Sequence, residues 1–403
     1  MNIGFVSTWF ERGAAYVTKL YVDALIQNNH KVFVYARGGE RFAKGDVNWD
    51  QDYVTWGMRL SGTNINKNHF YKWIKENNID TVFFNEQHEF SIVAMLKRDF
   101  KNIKIGSYID YYKENTLDYF NIYDFIICNT KRHYEAFEKH QQKFYIPWGT
   151  DIDLFKPIDR QSEPKDQLVF FHSAGMSNRK GTELVIEAFI KGKLNTNSKL
   201  IIHSQVDIKK ISGYESRELE QYNIEVLEKT VSAPGLYYLG DVYVYPTKLE
   251  GLGLTIYEAL SCGLPVITTD NAPMNEVVKE DVGKLVEVEK FYSRSDGYYW
   301  PLSKCSITDL VNKMRYYIDN YKDIKDFKHM ARNYAVEQLN WKDRYHEINN
   351  IFETSNICDF EQDLYDRIIK QEKNEKVTHL RLGLNSNNII GHNIKKVLDK
   401  VRG

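Results

Sequence analysis

Two carboxylates and two glycines share one short run of the chain. It reads Pro246-Thr247-Lys248-Leu249-Glu250-Gly251-Leu252-Gly253-Leu254, then Thr255 to Tyr257, then Glu258, with Gly263 and Pro265 further on. Its pattern is strand, glycine turn, helix, glycine stop and strand. Gly251 and Gly253 let backbone approach a ligand closely, and the N–H groups of Leu254 and its helix point back into the turn. Such a terminus favours a phosphate or the oxygens of a sugar. Glu250 lies in the turn and Glu258 on the helix beyond it, so the two carboxylates reach different parts of one elongated ligand. A carboxylate accepts paired hydrogen bonds from vicinal hydroxyls, which makes a hexose and a ribose natural partners. Gly263 suits the position that ends a helix, and Pro265 reinforces the stop. A pair of glutamates at this spacing is a weak signal in a chain with 27% charged residues, whereas the whole run is specific.

The second chemical segment is Phe171-His172-Ser173-Ala174-Gly175-Met176-Ser177-Asn178-Arg179-Lys180-Gly181-Thr182. It ends a strand and opens a helix, with Thr182 or Gly181 as its N-cap. A nucleoside diphosphate leaving a partly dry cleft carries two or three negative charges. Cations held there stabilise the transition state more than the ground state. Arg179 and Lys180 suit that task, one as a fork on phosphate oxygens and one as a point charge. The plainer alternative is a solvated basic pair before a helix.

The first run resembles the Glu-x7-Glu motif of the family 4 retaining glycosyltransferases of the GT-B fold. That motif reads Glu-Gly-x-Gly-x-x-x-x-Glu-Ala-x-x-x-Gly-x-Pro-Val, and every position matches. The resemblance implies that Glu250 takes the donor sugar and Glu258 the ribose hydroxyls, with Gly251, Leu252, Gly253 and Leu254 forming the donor turn. It also gives Arg179 and Lys180 the donor phosphates. Many members carry an Arg directly after the strand's Gly175; Met176 stands there, and Arg179 is expected to supply the guanidinium. Gly13, preceded by Arg12, matches a glycine loop beside the donor phosphates. Asp110 occupies the place where many members have a His that hydrogen-bonds the donor sugar. A lone carboxylate there could accept from a hydroxyl but not donate to one, and capping of nearby backbone is the alternative role. His88, in Asn85-Glu86-Gln87-His88-Glu89, is a candidate for facing the acceptor or a structural residue. Ile146-Pro147-Trp148-Gly149-Thr150-Asp151 resembles the family's crossing between domains, with Trp148 in place of Asn. Asn271 to Val277 resembles a loop that lines the cleft, with its glycines changed and Glu276 kept.

The implied activity is retaining transfer of a sugar from a nucleotide-sugar donor to an acceptor hydroxyl, the leaving phosphate assisting deprotonation. The acceptor would be a carbohydrate, or lipid-linked or protein-linked, in bacterial-type surface polysaccharide, lipopolysaccharide or glycoprotein glycan assembly. No metal and no cofactor are expected, because no Asp-x-Asp follows a strand in the manner that holds a divalent cation on a nucleotide sugar. Other readings are a non-catalytic nucleotide-sugar-binding partner subunit, a GT-B epimerase or hydrolase, and a flavodoxin-like nucleotide binder.

These residues need a scaffold, and the hydrophobic pattern supplies one. Apolar runs at Ile3–Val6, Lys31–Ala36, Thr81–Phe84, Ile103–Ile109 and Phe125–Cys128 alternate with helical stripes, as in a parallel α/β sheet. A Pro-bearing linker, Ile146–Gln167, leads to a second series: strands Leu168–His172, Leu200–His203, Tyr243–Tyr245 and Pro265–Thr269, helices Thr182–Ile190 and Leu254–Cys262. The 403 residues thus divide into Rossmann-like domains at 1–157 and 158–345 facing a cleft; the resemblance implies that the first holds the acceptor and the second the donor, and closure of the cleft about the linker is expected. A helical tail, 346–403, is expected to pack back on the first domain. Net charge is −1, which gives no nucleic-acid signature. Cys128, Cys262, Cys305 and Cys358 form no Cys-x-x-Cys pair and suit a reducing cytoplasm. No secretory signal or membrane span is expected. The basic tail, with Lys376, Arg381, Lys395, Lys396, Lys400 and Arg402, makes peripheral membrane contact a possibility.

Overall fold

A computed structural model describes residues 1–38, 42–60, 62–158 and 167–381, without the side chains of 375–381. The basic tail expected to meet a membrane lies outside the described side chains, as does much of the Pro-bearing linker. No helix among the described residues is long and apolar enough to cross a membrane.

Seven strands build the first sheet: β1 Asn2–Ser7, β2 Lys31–Ala36, β3 Val54–Trp56, β4 Thr81–Phe84, β5 Lys104–Tyr108, β6 Phe125–Cys128 and β7 Lys143–Tyr145. Six build the second: β8 Leu168–Gly175, β9 Ser198–Ser204, β10 Ile224–Glu228, β11 Val242–Tyr245, β12 Val266–Thr269 and β13 Gly283–Val286. Every pairing in both sheets is parallel. The inner strands are buried on both faces, which is why they read as unbroken apolar runs. The edge strands β3, β7 and β10 are short or studded with charge, and the sequence pattern does not mark them. An antiparallel hairpin, β14 Val288–Tyr292 and β15 Leu302–Cys305, stands apart as a third sheet. This is the GT-B architecture of two Rossmann-like domains.

The first sheet runs β3-β2-β1-β4-β5-β6-β7 and the second β10-β9-β8-β11-β12-β13. Strand order therefore reverses between β1 and β4 in one domain and between β8 and β11 in the other. Loops leaving the carboxyl ends of those strands part there and open a crevice. The two segments singled out by their chemistry follow β8 and β11.

The chain crosses between the domains at 146–155 and returns at 339–341, and the crossings are hydrogen-bonded together. Thr150 N–H donates to Leu339 O at 2.7 Å, and Trp341 N–H to Thr150 O at 3.0 Å. Gly149 has no room for a Cβ against Leu339 O and the Trp341 backbone. Trp148 is buried against Trp341, ring centroids 4.4 Å apart. The substitution of Trp for Asn in this turn is thus a packing feature.

Beyond the crossing, the helix Tyr345–Thr354 lies on the helix Gly13–Gln27, and Gln362–Arg381 lies on Ser91–Asp99. Asp124 fastens this tail. Its fully buried carboxylate pairs with Lys97, accepts from Ile105 N–H at 2.6 Å, and accepts from Cys358 N–H at 2.7 Å. Asp124→Ala leaves Lys97 as an uncompensated buried charge and should lower stability by about 3 kcal/mol. Urea unfolding measures this, and an unchanged midpoint would refute the assignment.

Candidate active site

Glu250 ends the loop after β11, and its Oε1 collects three donors: Lys180 Nζ at 2.7 Å, Tyr245 OH at 2.8 Å and Thr247 Oγ1 at 2.7 Å. Burial is the largest influence on this carboxyl and pushes its pKa up. Lys180, then Arg179, and the hydrogen bonds outweigh it and hold Glu250 below the ordinary glutamate value. Lys180 reaches Glu250 from a single 3₁₀ turn, Asn178–Lys180, after β8, and also lies over the Tyr245 ring at 5.2 Å. Gly181 then caps the helix Thr182–Lys191 at φ 75°, where a Cβ would strike Pro246 O. Thr182 is not the cap: it is the first helical residue, and its hydroxyl partners His172 Nε2 at 2.9 Å.

Arg179 turns its guanidinium to the Leu249 carbonyl at 3.0 Å, bracing the turn that carries Glu250. Met176 is 70% exposed, so it does not fill the place of the expected guanidinium. Gly175 takes φ 58°, and a Cβ there would meet Gln205 Oε1 at 4.0 Å, an ordinary contact.

Gly253 takes φ 78° and caps the helix Leu254–Ser261. The first N–H groups of that helix have no acceptor within it and face the turn. Leu252 is buried in the core, leaving only its backbone for a ligand. Glu258 accepts from Tyr237 OH at 2.5 Å, and burial pushes its pKa upward. It borders an interdomain cavity of about 210 Å³ walled by Tyr16, Lys19, Trp148, Phe155 and Leu254. At the far end of the helix, Gly263 (φ 77°) and Leu264 close a double stop: Leu264 N–H reaches Ala259 O and Gly263 N–H reaches Leu260 O, both at 2.9 Å.

The first domain grips this turn from across the cleft. Gly13 opens the helix Gly13–Gln27, and a Cβ there would lie 3.4 Å from Leu254. Asp110, just past β5, sets its carboxylate so close to Gly251 that a Cβ at 251 would run into it. Arg132 Nη2 donates to Glu250 O at 2.5 Å, and Arg132 Nη1 to Ala272 O. His133 Nε2 lies 3.1 Å from Gly251 O and its Nδ1 3.0 Å from Tyr112 OH. Burial, then Arg132, pushes the His133 pKa down to about 3. The ring is therefore neutral, donating from Nε2 to Gly251 and accepting at Nδ1 from Tyr112. Glu276 accepts from the N–H groups of Lys131 and Arg132 at 2.6 and 2.9 Å. That carboxylate caps a helix of the opposite domain, so the loop Asn271–Val277 joins the domains through it. His88 is exposed, its ring 4.9 Å from Tyr111.

The tip of the β14–β15 hairpin straps the cleft. Tyr299 N–H donates to Tyr112 O at 3.0 Å, Tyr298 OH to Asp110 O at 3.1 Å, and Trp300 Nε1 to Tyr112 OH at 2.5 Å. Sequence reasoning did not find Arg132, His133 or Tyr298. Arg132-His133 opens a helix after a strand, which is a signal only once the opposing turn is known.

The family model described as glycosyl transferases group 1 matches residues 155–334, the segment carrying Arg179, Lys180, Glu250 and Glu258. Among curated relatives, a probable sucrose-phosphate synthase of Thermosipho melanesiensis is 23% identical over 254 residues, 58% of this chain and 55% of that one. The O-antigen chain mannosyltransferase B of Escherichia coli is 47% identical over 45 residues, 11% of this chain and 12% of that one. The chain spans about half the length, or less, of the curated relatives it matches. Among solved structures, Anabaena Alr3699/HepE in complex with UDP and glucose superposes with TM-score 0.66 at 15% identity, over 88% of this chain and 100% of the other. WaaG, a glycosyltransferase involved in lipopolysaccharide biosynthesis, gives TM-score 0.62 at 15% identity, over 88% and 100%. At these identities the likeness is one of fold.

The Glu250–Lys180 pair yields a pH test. The Glu250 pKa is depressed in the folded protein, so its contribution to stability is present above the ordinary glutamate range and is lost as pH falls below it. Lys180→Met leaves burial as the dominant influence, which raises the Glu250 pKa above its unfolded value. The variant should lose about 3 kcal/mol near neutral pH and regain part of it on acidification. Denaturant melts across the acid range read the opposite slopes, and parallel curves for the two proteins would reject the pairing.

Proposed function

We propose that this protein is a retaining glycosyltransferase that moves a sugar from a nucleotide-sugar donor to an acceptor hydroxyl. The observation that carries the proposal is the buried Glu250–Lys180 pair at the β8/β11 switch point, beside a glycine turn at a helix N-terminus. In the unliganded protein the carboxylate and the ammonium neutralise each other. A bound nucleotide sugar offers each a new partner: hydroxyls for Glu250, and the diphosphate for Lys180 and the helix N–H groups. Glu258, which borders the cavity, takes the ribose in this proposal.

In the proposed reaction the bond from the anomeric carbon to the phosphate oxygen breaks. A bond to the acceptor oxygen forms on the same face. The acceptor proton passes to the departing phosphate oxygen, and the nucleoside diphosphate leaves. Lys180 stabilises the charge that builds on that oxygen, a role that needs no divalent cation. The match to the Glu-x7-Glu motif supports retention, and the strapped cleft supports exclusion of water. HepE was solved with UDP-glucose, so UDP-sugars head the donors to test, ahead of GDP-, ADP-, CMP- and dTDP-sugars. The acceptor is assigned to the first domain: a carbohydrate, lipid-linked or protein-linked hydroxyl of a surface glycan.

The two glutamates should separate by readout. Glu258→Ala should weaken UDP itself by about 10-fold, the value of a lost charge-assisted hydrogen bond. Glu250→Gln should not weaken UDP, because it releases Lys180 to the diphosphate, and should cut sugar transfer by about 10²-fold, since the carboxylate's own ligand contacts form with the sugar. Calorimetric titration with UDP and a UDP-release assay measure both. Absence of a stability shift with every nucleotide sugar of the panel would reject the proposal.

A further inference from the structure

Two successive carbonyls of the glycine turn are held from the first domain, and both holds lead back to one side chain of the second. Trp300, at the tip of the β14–β15 hairpin, is half-buried. The hairpin's own geometry places it. Gly297 takes φ 75°, and Asp296 Oδ1 accepts from Arg294 Nε at 2.9 Å and from Tyr298 N–H at 3.2 Å, which shapes the tip. Tyr298 then pairs antiparallel with Lys113 and stacks its ring on Tyr111, centroids 5.1 Å apart. Trp300 follows, with its ring edge on Tyr112 and its ring face 5.0 Å from the Arg132 guanidinium.

The edge contact starts a hydrogen-bond chain whose direction is fixed at both ends, because an indole N–H can only donate and a backbone carbonyl can only accept. Trp300 Nε1 donates to Tyr112 OH at 2.5 Å, so the single Tyr112 proton goes to His133 Nδ1, 3.0 Å away. His133, kept neutral by burial and the Arg132 charge, then carries its one proton on Nε2 and donates to Gly251 O at 3.1 Å. The face contact covers the guanidinium that donates to Glu250 O. The chain thus leaves the second domain at Trp300, passes through two residues of the first and returns to the second at Gly251.

The other side of each peptide gives these holds their consequence. In a trans peptide the C=O and the following N–H point in opposite directions in one plane. Fixing Glu250 O therefore fixes the Gly251 N–H, and fixing Gly251 O fixes the Leu252 N–H. Neither N–H has an acceptor among the described residues. Successive backbone N–H groups in a turn can cradle an anionic oxygen. We propose that Trp300 is a positioning residue for the transfer reaction, aiming the Gly251 and Leu252 N–H groups at the terminal phosphate of the donor through Tyr112, His133 and Arg132. This rests on the donor site proposed above and adds to it a residue that touches neither the ligand nor the turn. The turn is set only while the first domain stands between it and the hairpin.

Trp300→Phe keeps a ring face for Arg132 and removes the indole N–H, while Tyr112→Phe keeps the ring and removes the middle of the chain. Calorimetric titration with UDP and with UMP separates positioning from a merely structural role, because UMP lacks the terminal phosphate. Each variant should weaken UDP by about 5-fold and leave UMP unchanged, and the double variant should be no weaker than either alone, as two breaks in one chain require. Equal losses for UDP and UMP, losses that multiply in the double variant, or an unchanged UDP affinity overturn the proposal. Nitrogen NMR of the unliganded protein tests the chain without a nucleotide. His133 should carry its proton on Nε2, and the Trp300 indole N–H signal should move upfield in Tyr112→Phe. A His133 proton on Nδ1, or an unmoved indole signal, overturns the chain itself. Binding of neither nucleotide by a wild type that shows both signatures overturns the proposed function, and the positioning role with it, while the chain stands.

Discussion

The ion pair between Glu250 and Lys180 is the interaction on which the rest of the site depends. A carboxylate buried to 7% exposure is expensive in a low-dielectric cleft, and a cation at 2.7 Å is what keeps it ionised. Tyr245 and Thr247 bond the same oxygen, so the carboxylate is fixed in place from below while the cleft lies above. The remaining bonds of the turn follow from that requirement. Arg179 holds the Leu249 carbonyl, Arg132 the Glu250 carbonyl and His133 the Gly251 carbonyl, so three successive backbone oxygens each meet a donor. A turn with a charged side chain and no Cβ at 251 would otherwise be loose.

Lys180 and Arg179 divide the electrostatic work differently from what their adjacency suggests. Lys180 is a point charge on a flexible stem, 20% exposed and paired to Glu250. Arg179 is a planar fork bound to backbone, and its field reaches Glu250 without contact. Losing that backbone bond would free the turn before it freed a cation, so in the proposed function the charge offered to a diphosphate is assigned foremost to Lys180 and the helix N–H groups.

The second domain's half of the candidate site was legible because it is local: strand, glycine turn and helix are neighbours in sequence, and the switch point between β8 and β11 only brings two such segments together. The parallel strands β2, β4 and β6 were legible for the same reason, being buried apolar runs with the bounds expected of them. The opposing wall was not. Asp110 was singled out, but its approach to Gly251 spans 141 positions and depends on how the domains meet. The hairpin β14–β15 was missed because β14 faces solvent and the buried positions of β15 are Ser303 and Cys305 rather than large apolar residues, and its value lies in what Tyr298, Tyr299 and Trp300 touch.

Domain contact and site geometry are therefore one problem. The glycine turn is carried by the second domain, yet two of its three braced carbonyls are held by Arg132 and His133 of the first. Glu276 returns the favour by capping the helix that bears both of them, and Tyr298 ties the strap to the Asp110 carbonyl. If the domains part, the turn loses Arg132 and His133, and Gly251 loses its neighbour Asp110. If they close, all are restored together and the cavity beside Glu258 regains both walls. Closure thus has a stated energetic consequence at each group, which is the condition for a ligand bridging the domains to favour the closed form. In the proposed function a nucleotide sugar, engaging Glu258 at one end and the Gly251 turn at the other, would be such a ligand.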